Sequence, residues 1–171
     1  MSAGALAIIV MLASAGQAVP SQRAAGASVT ILRPLAITNS ANLSFGRVQP
    51  QGSNDGGSAT ISAAPPVTRT TDRASGLAGG GETPAIRAIV GEPTRLYRIT
   101  LPAMVTSNPG GYLVNAFKLW TANRGDITAT GLGQLSSTGQ DTVRIGATIT
   151  FPKAAKQDIF TANVSITISY E

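Results

Sequence analysis

The clearest pattern in the chain is a strict alternation of apolar and polar residues between Phe160 and Tyr170. A two-residue period of this length predicts a β-strand with one face turned toward a core. The segment contains no Lys, Pro or Gly, the residues that usually protect an exposed strand edge. We therefore expect both edges of this strand to be paired. Its apolar positions are Phe160, Ala162, Val164, Ile166, Ile168 and Tyr170.

Shorter alternating segments, separated by turn signals, come before this strand. Residues 29–38 alternate around Pro34, which favours an edge strand, a bulge or a kink. Residues 143–151 alternate cleanly and are predicted to form an antiparallel hairpin with the terminal strand. Further strands are predicted at residues 43–48, 59–62, 67–71, 86–90, 95–101 and 112–120.

About eight to ten short strands with regularly spaced turns predict an all-β fold. The expected architecture is an immunoglobulin-like antiparallel β-sandwich over residues 29–171, preceded by an N-terminal signal helix. The composition agrees with this class, because charged residues make up only 12% of the chain and glycine is abundant, with 19 residues. Such a composition is poor in the residues that build soluble helices.

The N-terminal segment predicts export. Residues 5–15 form an apolar run that is too short for a transmembrane helix and has the length of a signal-peptide core. Residues 1–18 are therefore predicted to be a signal peptide, although they contain no Lys or Arg. A buried helix is the alternative interpretation. Residues 19–28 are predicted to form a flexible arm. The mature chain is predicted to have no transmembrane segment. Its expected location is the periplasm, the cell surface or the outside of the cell.

Charge and chemistry narrow the possible functions. The sequence contains no His and no Cys, which excludes a disulfide, a thiol nucleophile and an imidazole base. The net charge is +5, but the basic residues are dispersed and lack the clustered footprint of a nucleic-acid-binding protein. No two carboxylates fall within a short catalytic motif. We therefore expect no catalytic residues, cofactor, metal or nucleic-acid partner.

Five sequence tracts occur in a fixed order along the chain: PLAIT at 34–38, LSFG at 43–46, YRITLP at 97–102, VRIGATI at 143–149 and VSITISY at 164–170. Taken together and in order, these tracts resemble a family of exported bacterial β-sandwich domains called domain of unknown function 4402 (DUF4402). The resemblance covers nearly all of the predicted mature chain, and it implies an exported all-β domain without known catalytic residues.

The last strand is also similar to the C-terminal strand of chaperone–usher pilins, with its alternating apolar residues and its penultimate aromatic, Tyr170. In pilins a periplasmic chaperone pairs with this strand, and the N-terminal arm of the next subunit then completes the sandwich by β-strand addition. The resemblance implies self-association or a periplasmic chaperone as the partner.

The leading hypothesis is a non-enzymatic, exported, pilin-like structural or adhesive surface protein that acts through strand pairing. The expected pairing interface consists of Val29, Ile31, Leu35, Ile37, Phe160, Val164, Ile166, Ile168 and Tyr170. The alternative is a monomeric secreted binding module for carbohydrate or another surface ligand. In that case the rings of Tyr112 and Trp120 could stack on a sugar, although a single tryptophan in such a fold is more often a core residue.

Overall fold

Short β-strands make up the structure, a computed structural model that describes residues 31–50, 56–77 and 81–171. Within these residues there are fourteen strands and no helix. The strands are β1 (Ala36–Ala41), β2 (Leu43–Pro50), β3 (Gly57–Ile61), β4 (Arg69–Asp72), β5 (Ala74–Gly76), β6 (Ala85–Val90), β7 (Leu96–Thr100), β8 (Val105–Asn108), β9 (Leu113–Thr121), β10 (Gly125–Asp126), β11 (Leu132–Gln134), β12 (Gln140–Phe151), β13 (Asp158–Ala162) and β14 (Thr167–Tyr170).

The all-β prediction is confirmed for the described residues, which from Leu32 to Glu171 form one compact unit. The strand count exceeds the expected eight to ten because several strands contain only two to four residues. The predicted signal peptide, the predicted arm and Val29 lie outside the described residues.

The strands are arranged in two antiparallel sheets. The larger sheet has eleven strands and follows the order β1-β6-β12-β9-β8-β13-β2-β5, with β10 beside β9 and with β3 pairing to both β12 and β4. The smaller sheet has three strands in the order β11-β7-β14. β1 and β14 therefore each stand at the end of a sheet.

β12 is the longest strand and organises the larger sheet. One of its edges pairs first with β6 and then with β3, while the other edge pairs with β9. The predicted alternation is confirmed here, because the odd positions from Val143 to Phe151 are all buried. A strand that is hydrogen-bonded along both edges has its backbone donors and acceptors satisfied, as burial requires.

The core receives side chains from both sheets. Tyr97 and Ile99 of β7 belong to the same buried cluster as Phe45, Phe151 and Phe160 of the larger sheet. The Phe151 and Phe160 ring centroids lie 4.9 Å apart, and Tyr112 packs at 5.7 Å from the first and 5.5 Å from the second. Aromatic rings at these separations add to the stabilisation from burial alone.

Two predictions about the terminal strand are wrong. The alternating segment forms two strands, β13 and β14, separated by residues 163–166. β13 pairs with β2 and β8, whereas β14 pairs with β7, so neither strand forms a hairpin with β12. The reason is that the chain passes from the larger sheet to the smaller one at residues 163–166, while Val164 stays buried and preserves the apolar period.

The first predicted strand also begins later than expected. Residues 31–35 are not in a strand, and β1 starts at Ala36, two residues after Pro34. Proline fixes φ and has no N–H to donate to a ladder, which explains why regular pairing starts only beyond it.

A buried hydroxyl–carboxylate pair ties β7 to β12. The Tyr97 hydroxyl donates to Asp141 Oδ2 at 2.7 Å, and both residues are buried. Asp141 Oδ1 accepts from the Thr142 N–H at 2.7 Å and from the Asn123 N–H at 3.3 Å. Burial, followed by the hydrogen bond to Asp141 and its charge, raises the pKa of Tyr97. Burial also raises the pKa of Asp141.

Raising the pH above about 10 is expected to destabilise the domain through Tyr97. The folded state raises the pKa of this hydroxyl, so the contribution is fully present below the unfolded pKa of tyrosine. Above it the unfolded chain loses the proton first, and the free energy of unfolding falls by up to ~1.4 kcal/mol per pH unit. Urea unfolding at several pH values above neutrality measures this slope.

The variant Tyr97→Phe should lose this alkaline slope. It should also be less stable at neutral pH by about 1–3 kcal/mol, because buried Asp141 Oδ2 loses its donor. Tyr112→Phe is the matched control, since it keeps the Tyr97 hydroxyl and should keep the slope. Equal slopes in the unmodified protein and in Tyr97→Phe would contradict the assignment.

Candidate strand-pairing site

Two sheet edges bring the beginning and the end of the domain together. Among the described residues, β1 pairs only with β6 and β14 pairs only with β7. Each strand thus has one edge without a described partner strand. Unpaired strand edges carry backbone N–H and C=O groups that can accept another strand.

Arg87 links β1 to the segment before β14. Its side chain is buried, with 5% exposure, and its Nη1 donates to the carbonyl oxygens of Ala41 at 2.6 Å and Ile86 at 3.1 Å and to the Asn39 side chain. Its Nη2 donates to the Val164 carbonyl oxygen at 3.1 Å. All of these acceptors are neutral, and burial lowers the pKa of Arg87. One side chain therefore joins three chain segments by hydrogen bonds.

Tyr170, six residues after Val164, forms a second link between the same two parts of the chain. Its hydroxyl donates to the Arg33 carbonyl oxygen at 2.7 Å and accepts from the Glu92 N–H at 2.6 Å. The Arg33 N–H in turn donates to Glu92 Oε2 at 3.1 Å. Gly91 makes room for this contact, because a Cβ there would lie 2.3 Å from the Tyr170 hydroxyl.

The hydrogen bonds of Arg87 and Tyr170 define the relative direction of the two segments that they join. Val164 lies near Ala41, and Tyr170 lies near Arg33, so residues 33–41 and 164–170 run antiparallel. An open cleft of about 310 Å³ lies between these segments at the Arg87 connection, and we call it the edge cleft. It is lined by Ile37, Asn39, Arg87, Asn163, Val164, Ser165 and Ile166.

The structure brings part of the predicted pairing interface to this cleft. Ile37 is 38% exposed on β1 and pairs with Ile89 of β6. Ile166 lines the cleft from the segment between β13 and β14 with a partly buried side chain. Val164 also borders the cleft, but it is 1% exposed and belongs to the core. Ile168 and Tyr170 lie on β14 and are partly buried.

Of the other predicted interface residues, those that the structure describes do not line the edge cleft. Phe160 is 1% exposed and belongs to the core. Leu35 packs against the core from the segment before β1. Ile31 is 90% exposed and is not in a strand, and Val29 lies outside the described residues.

Arg87 was not among the predicted interface residues, although the sequence carries a signal for it. Ala85, Arg87 and Ile89 are the buried positions of β6, so the arginine occupies the phase of the core. Charged residues are rarely buried unless they are paired. A charge in the apolar phase of a strand therefore indicates a buried hydrogen-bond network.

The two residues proposed for carbohydrate stacking do not form one surface. Tyr112 packs into the aromatic cluster of the core, whereas Trp120 is partly exposed at the opposite end of β9. A joint site for one sugar ring is therefore excluded for this pair.

The described part of the chain has neither a metal-binding cluster nor a membrane-spanning helix. Residues 31–50, 56–77 and 81–171 contain no cluster of three or more Asp or Glu side chains able to hold a metal ion. Nor does any helix in this part of the chain have the length and apolarity needed to span a membrane.

Comparison with known proteins identifies one family. Searches of curated proteins and of solved structures found no match. The family model described as "Domain of unknown function (DUF4402)" matches residues 35–170. This range contains every strand from β1 to β14, and with them both sides of the edge cleft. Because the match spans well over half of the sequence, the chain belongs to the DUF4402 family.

Proposed function

We propose that this protein is a non-enzymatic, exported structural or adhesive surface protein, of pilin-like type, that assembles by β-strand pairing at the edge cleft. The proposal includes an immunoglobulin-like sandwich as the architecture formed by the two sheets. It also includes a signal peptide at residues 1–18 and a flexible arm at residues 19–28. The apolar run at residues 5–15 supports export to the periplasm, the cell surface or the medium.

The observation that carries the proposal is the geometry of the two edges. Residues 33–41 and 164–170 run antiparallel and are joined at both ends, yet the structure records no ladder between them in the described residues. Ile37 on one side is exposed to 38%, and Ile166 on the other is partly buried. An extended segment entering the cleft could pair with the edge of β1 that has no partner strand among the described residues, while covering these apolar side chains.

We propose that the occupant is residues 19–30 of a second copy. This segment is uncharged apart from Arg23, contains Val29 and several small residues, and has only one proline. Small side chains suit the cleft, whose lining consists mainly of short polar and aliphatic residues. Because β-strand addition uses backbone hydrogen bonds for affinity, such a segment needs few large side chains.

Deleting residues 19–30 from the mature chain is expected to convert concentration-dependent oligomers into monomers. The deletion ends before Arg33 and Leu35, because both contribute to the folded unit. Light scattering after size-exclusion chromatography measures the mass, and urea unfolding verifies that the domain is still folded. Oligomers that persist after the deletion, or a mature chain that is monomeric at high concentration, would contradict the proposal.

Engineered cysteines can show whether the arm pairs with a neighbour. The sequence contains no cysteine, so any disulfide must join the introduced residues. Mixing chains with Val29→Cys and chains with Ser165→Cys, an exposed position that lines the edge cleft, should give a mixed disulfide dimer. Lys153→Cys, an exposed position outside the strands, is the control partner and should react much less. A disulfide formed only within the double variant would overturn self-association.

A further inference from the structure

A second cleft lies around Trp120, on the face of the larger sheet opposite the core. Leu119 of β9 is buried, whereas its neighbours Lys118 and Trp120 are exposed or partly exposed. Since successive strand residues point to opposite faces, these two side chains project from the outer face. Trp120 does not belong to the core cluster of the described residues, so its ring lies outside the buried interior.

One wall of this cleft is a closed loop after β3. The Ser62 N–H donates to the Thr68 carbonyl oxygen at 3.0 Å, and the Thr68 N–H donates to Ser62 Oγ at 2.9 Å. The start of this loop lies directly over Gly146 of β12, where a Cβ would be 2.3 Å from the Ile61 carbonyl oxygen. Glycine at this position therefore allows the loop to approach the sheet and form the wall.

The opposite wall carries a fixed carboxylate. Asp126 of β10 pairs with Trp120, and its Oδ1 accepts from the Thr128 N–H at 2.8 Å. Hydrogen bonds from the Thr128 side chain and backbone hold the pKa of Asp126 below its usual range, so it is ionised at neutral pH. The Arg144 guanidinium lies 5.9 Å from the centroid of the Trp120 ring, a cation–π contact that favours one ring orientation.

We propose that this cleft binds one ring of a neutral carbohydrate. Its volume is about 250 Å³, and it is lined by Ser62, Ala63, Ala64, Lys118, Leu119, Trp120, Asp126 and Thr128. The lining is mostly apolar, with the Trp120 ring as its one aromatic surface. A sugar ring presents an apolar C–H face and a rim of hydroxyl groups, which match an aromatic surface bordered by a few oriented polar groups.

The polar groups define the chemistry of the ligand. The Asp126 carboxylate accepts hydrogen bonds from sugar hydroxyls, and the Lys118 ammonium donates to them. One positive and one negative side chain line the cleft, and the Arg144 guanidinium lies against its Trp120 ring without belonging to the lining. Lys118 and Arg144 disfavour a positively charged amino sugar, and Asp126 disfavours the carboxylate of a sugar acid, so we take the ligand to be a neutral sugar.

The fluorescence of Trp120 provides a direct test, because it is the only tryptophan in the sequence. Methyl glucoside, methyl galactoside and N-acetylglucosamine should each be titrated into the folded chain at concentrations up to about 50 mM, since single-ring sites bind weakly. A saturable change in emission, together with protection from a soluble quencher by at least one of these sugars, is the expected result. No saturable change with any of them, or binding of glucuronate alone, would overturn the proposal.

Substitutions of cleft residues test whether the fluorescence change comes from binding in this cleft. Asp126→Asn and Lys118→Ala are each expected to weaken binding by about tenfold, as loss of a charge-assisted hydrogen bond implies. Asp158→Asn and Lys153→Ala, at exposed positions outside the cleft, are the matched controls and should bind normally. Trp120→Ala, measured by calorimetry, should abolish binding. Equal affinity in Asp126→Asn and Asp158→Asn would contradict the assignment, while the strand-pairing proposal would be unaffected.

Discussion

Replacing Phe160 with alanine is expected to lower the free energy of unfolding by about 3–5 kcal/mol. The Phe160 side chain is 1% exposed, and its ring packs 4.9 Å from the Phe151 centroid and 5.5 Å from that of Tyr112. Truncation removes the buried ring and leaves a cavity that the surrounding strands can fill only in part, because β13 is held by β2 and β8. Urea unfolding monitored by circular dichroism measures the loss.

The adjacent residue provides a matched control for this substitution. Ile159 lies on the same strand but is 40% exposed, so Ile159→Ala should cost less than about 1 kcal/mol. If the two variants were equally stable, the placement of Phe160 in the core would be wrong. If Phe160→Ala instead weakened self-association without lowering stability, the sequence-based assignment of Phe160 to the pairing interface would be supported.

This pair of variants addresses a distinction that the sequence does not make. A period of two residues identifies the apolar side of a strand, but it does not indicate whether that side meets the protein's own core or a second chain. Phe160 and Ile168 share the same phase in the sequence. In the structure Phe160 is fully buried in the core, whereas Ile168 is only partly buried and packs against the core from β14, at the end of the smaller sheet.

Strand positions were largely predictable because they depend on local pattern. The alternation in β12 and the short segments that became β2, β6, β7 and β9 all lie within a few residues of their predicted bounds. Strand partners were not predictable, because pairing is set by contacts between residues that are distant in sequence. β13 pairs with β2, more than one hundred positions earlier, and not with its neighbour β12.

The division of the terminal segment into two strands also could not be predicted from the local sequence pattern. Residues 163–166 leave regular strand geometry, yet Val164 remains 1% exposed and keeps the apolar phase. The side-chain pattern therefore continues across a break in the backbone ladder. Of the edge cleft, the apolar residues at its border were predicted, whereas the buried arginine that links its two sides was not.

Replacing Arg87 with methionine is expected to release residues 163–170 from β1 and to lower the free energy of unfolding by about 2–5 kcal/mol. Methionine can fill much of the space of the arginine side chain but donates no hydrogen bond. The carbonyl oxygens of Ala41 and Val164 then lose a charged donor in a buried environment. Amide hydrogen exchange should speed up at residues 164–170 and 36–41, while β9 and β12 stay protected.

Arg98→Met is the matched control for this variant. Arg98 lies on β7 beside β14 and forms an ion pair with Glu171, but its side chain is 45% exposed. Exposed ion pairs contribute about 0–1 kcal/mol, so this change should be nearly neutral and should leave exchange at residues 36–41 unchanged. Arg87→Lys should fall between the two, because lysine keeps the charge but cannot reproduce the planar set of donors.

The Arg87→Met variant tests the assembly proposal as well as the stability of the domain. If Arg87 holds the two sides of the edge cleft at their present separation, Arg87→Met should weaken formation of the Val29–Ser165 mixed disulfide even under conditions where the domain remains folded. Unchanged exchange at residues 164–170, together with unchanged disulfide formation, would show that Arg87 does not organise the cleft. Loss of disulfide formation in Arg98→Met to the same extent would assign the effect to β14 itself, because that variant leaves the hydrogen bonds of Arg87 in place.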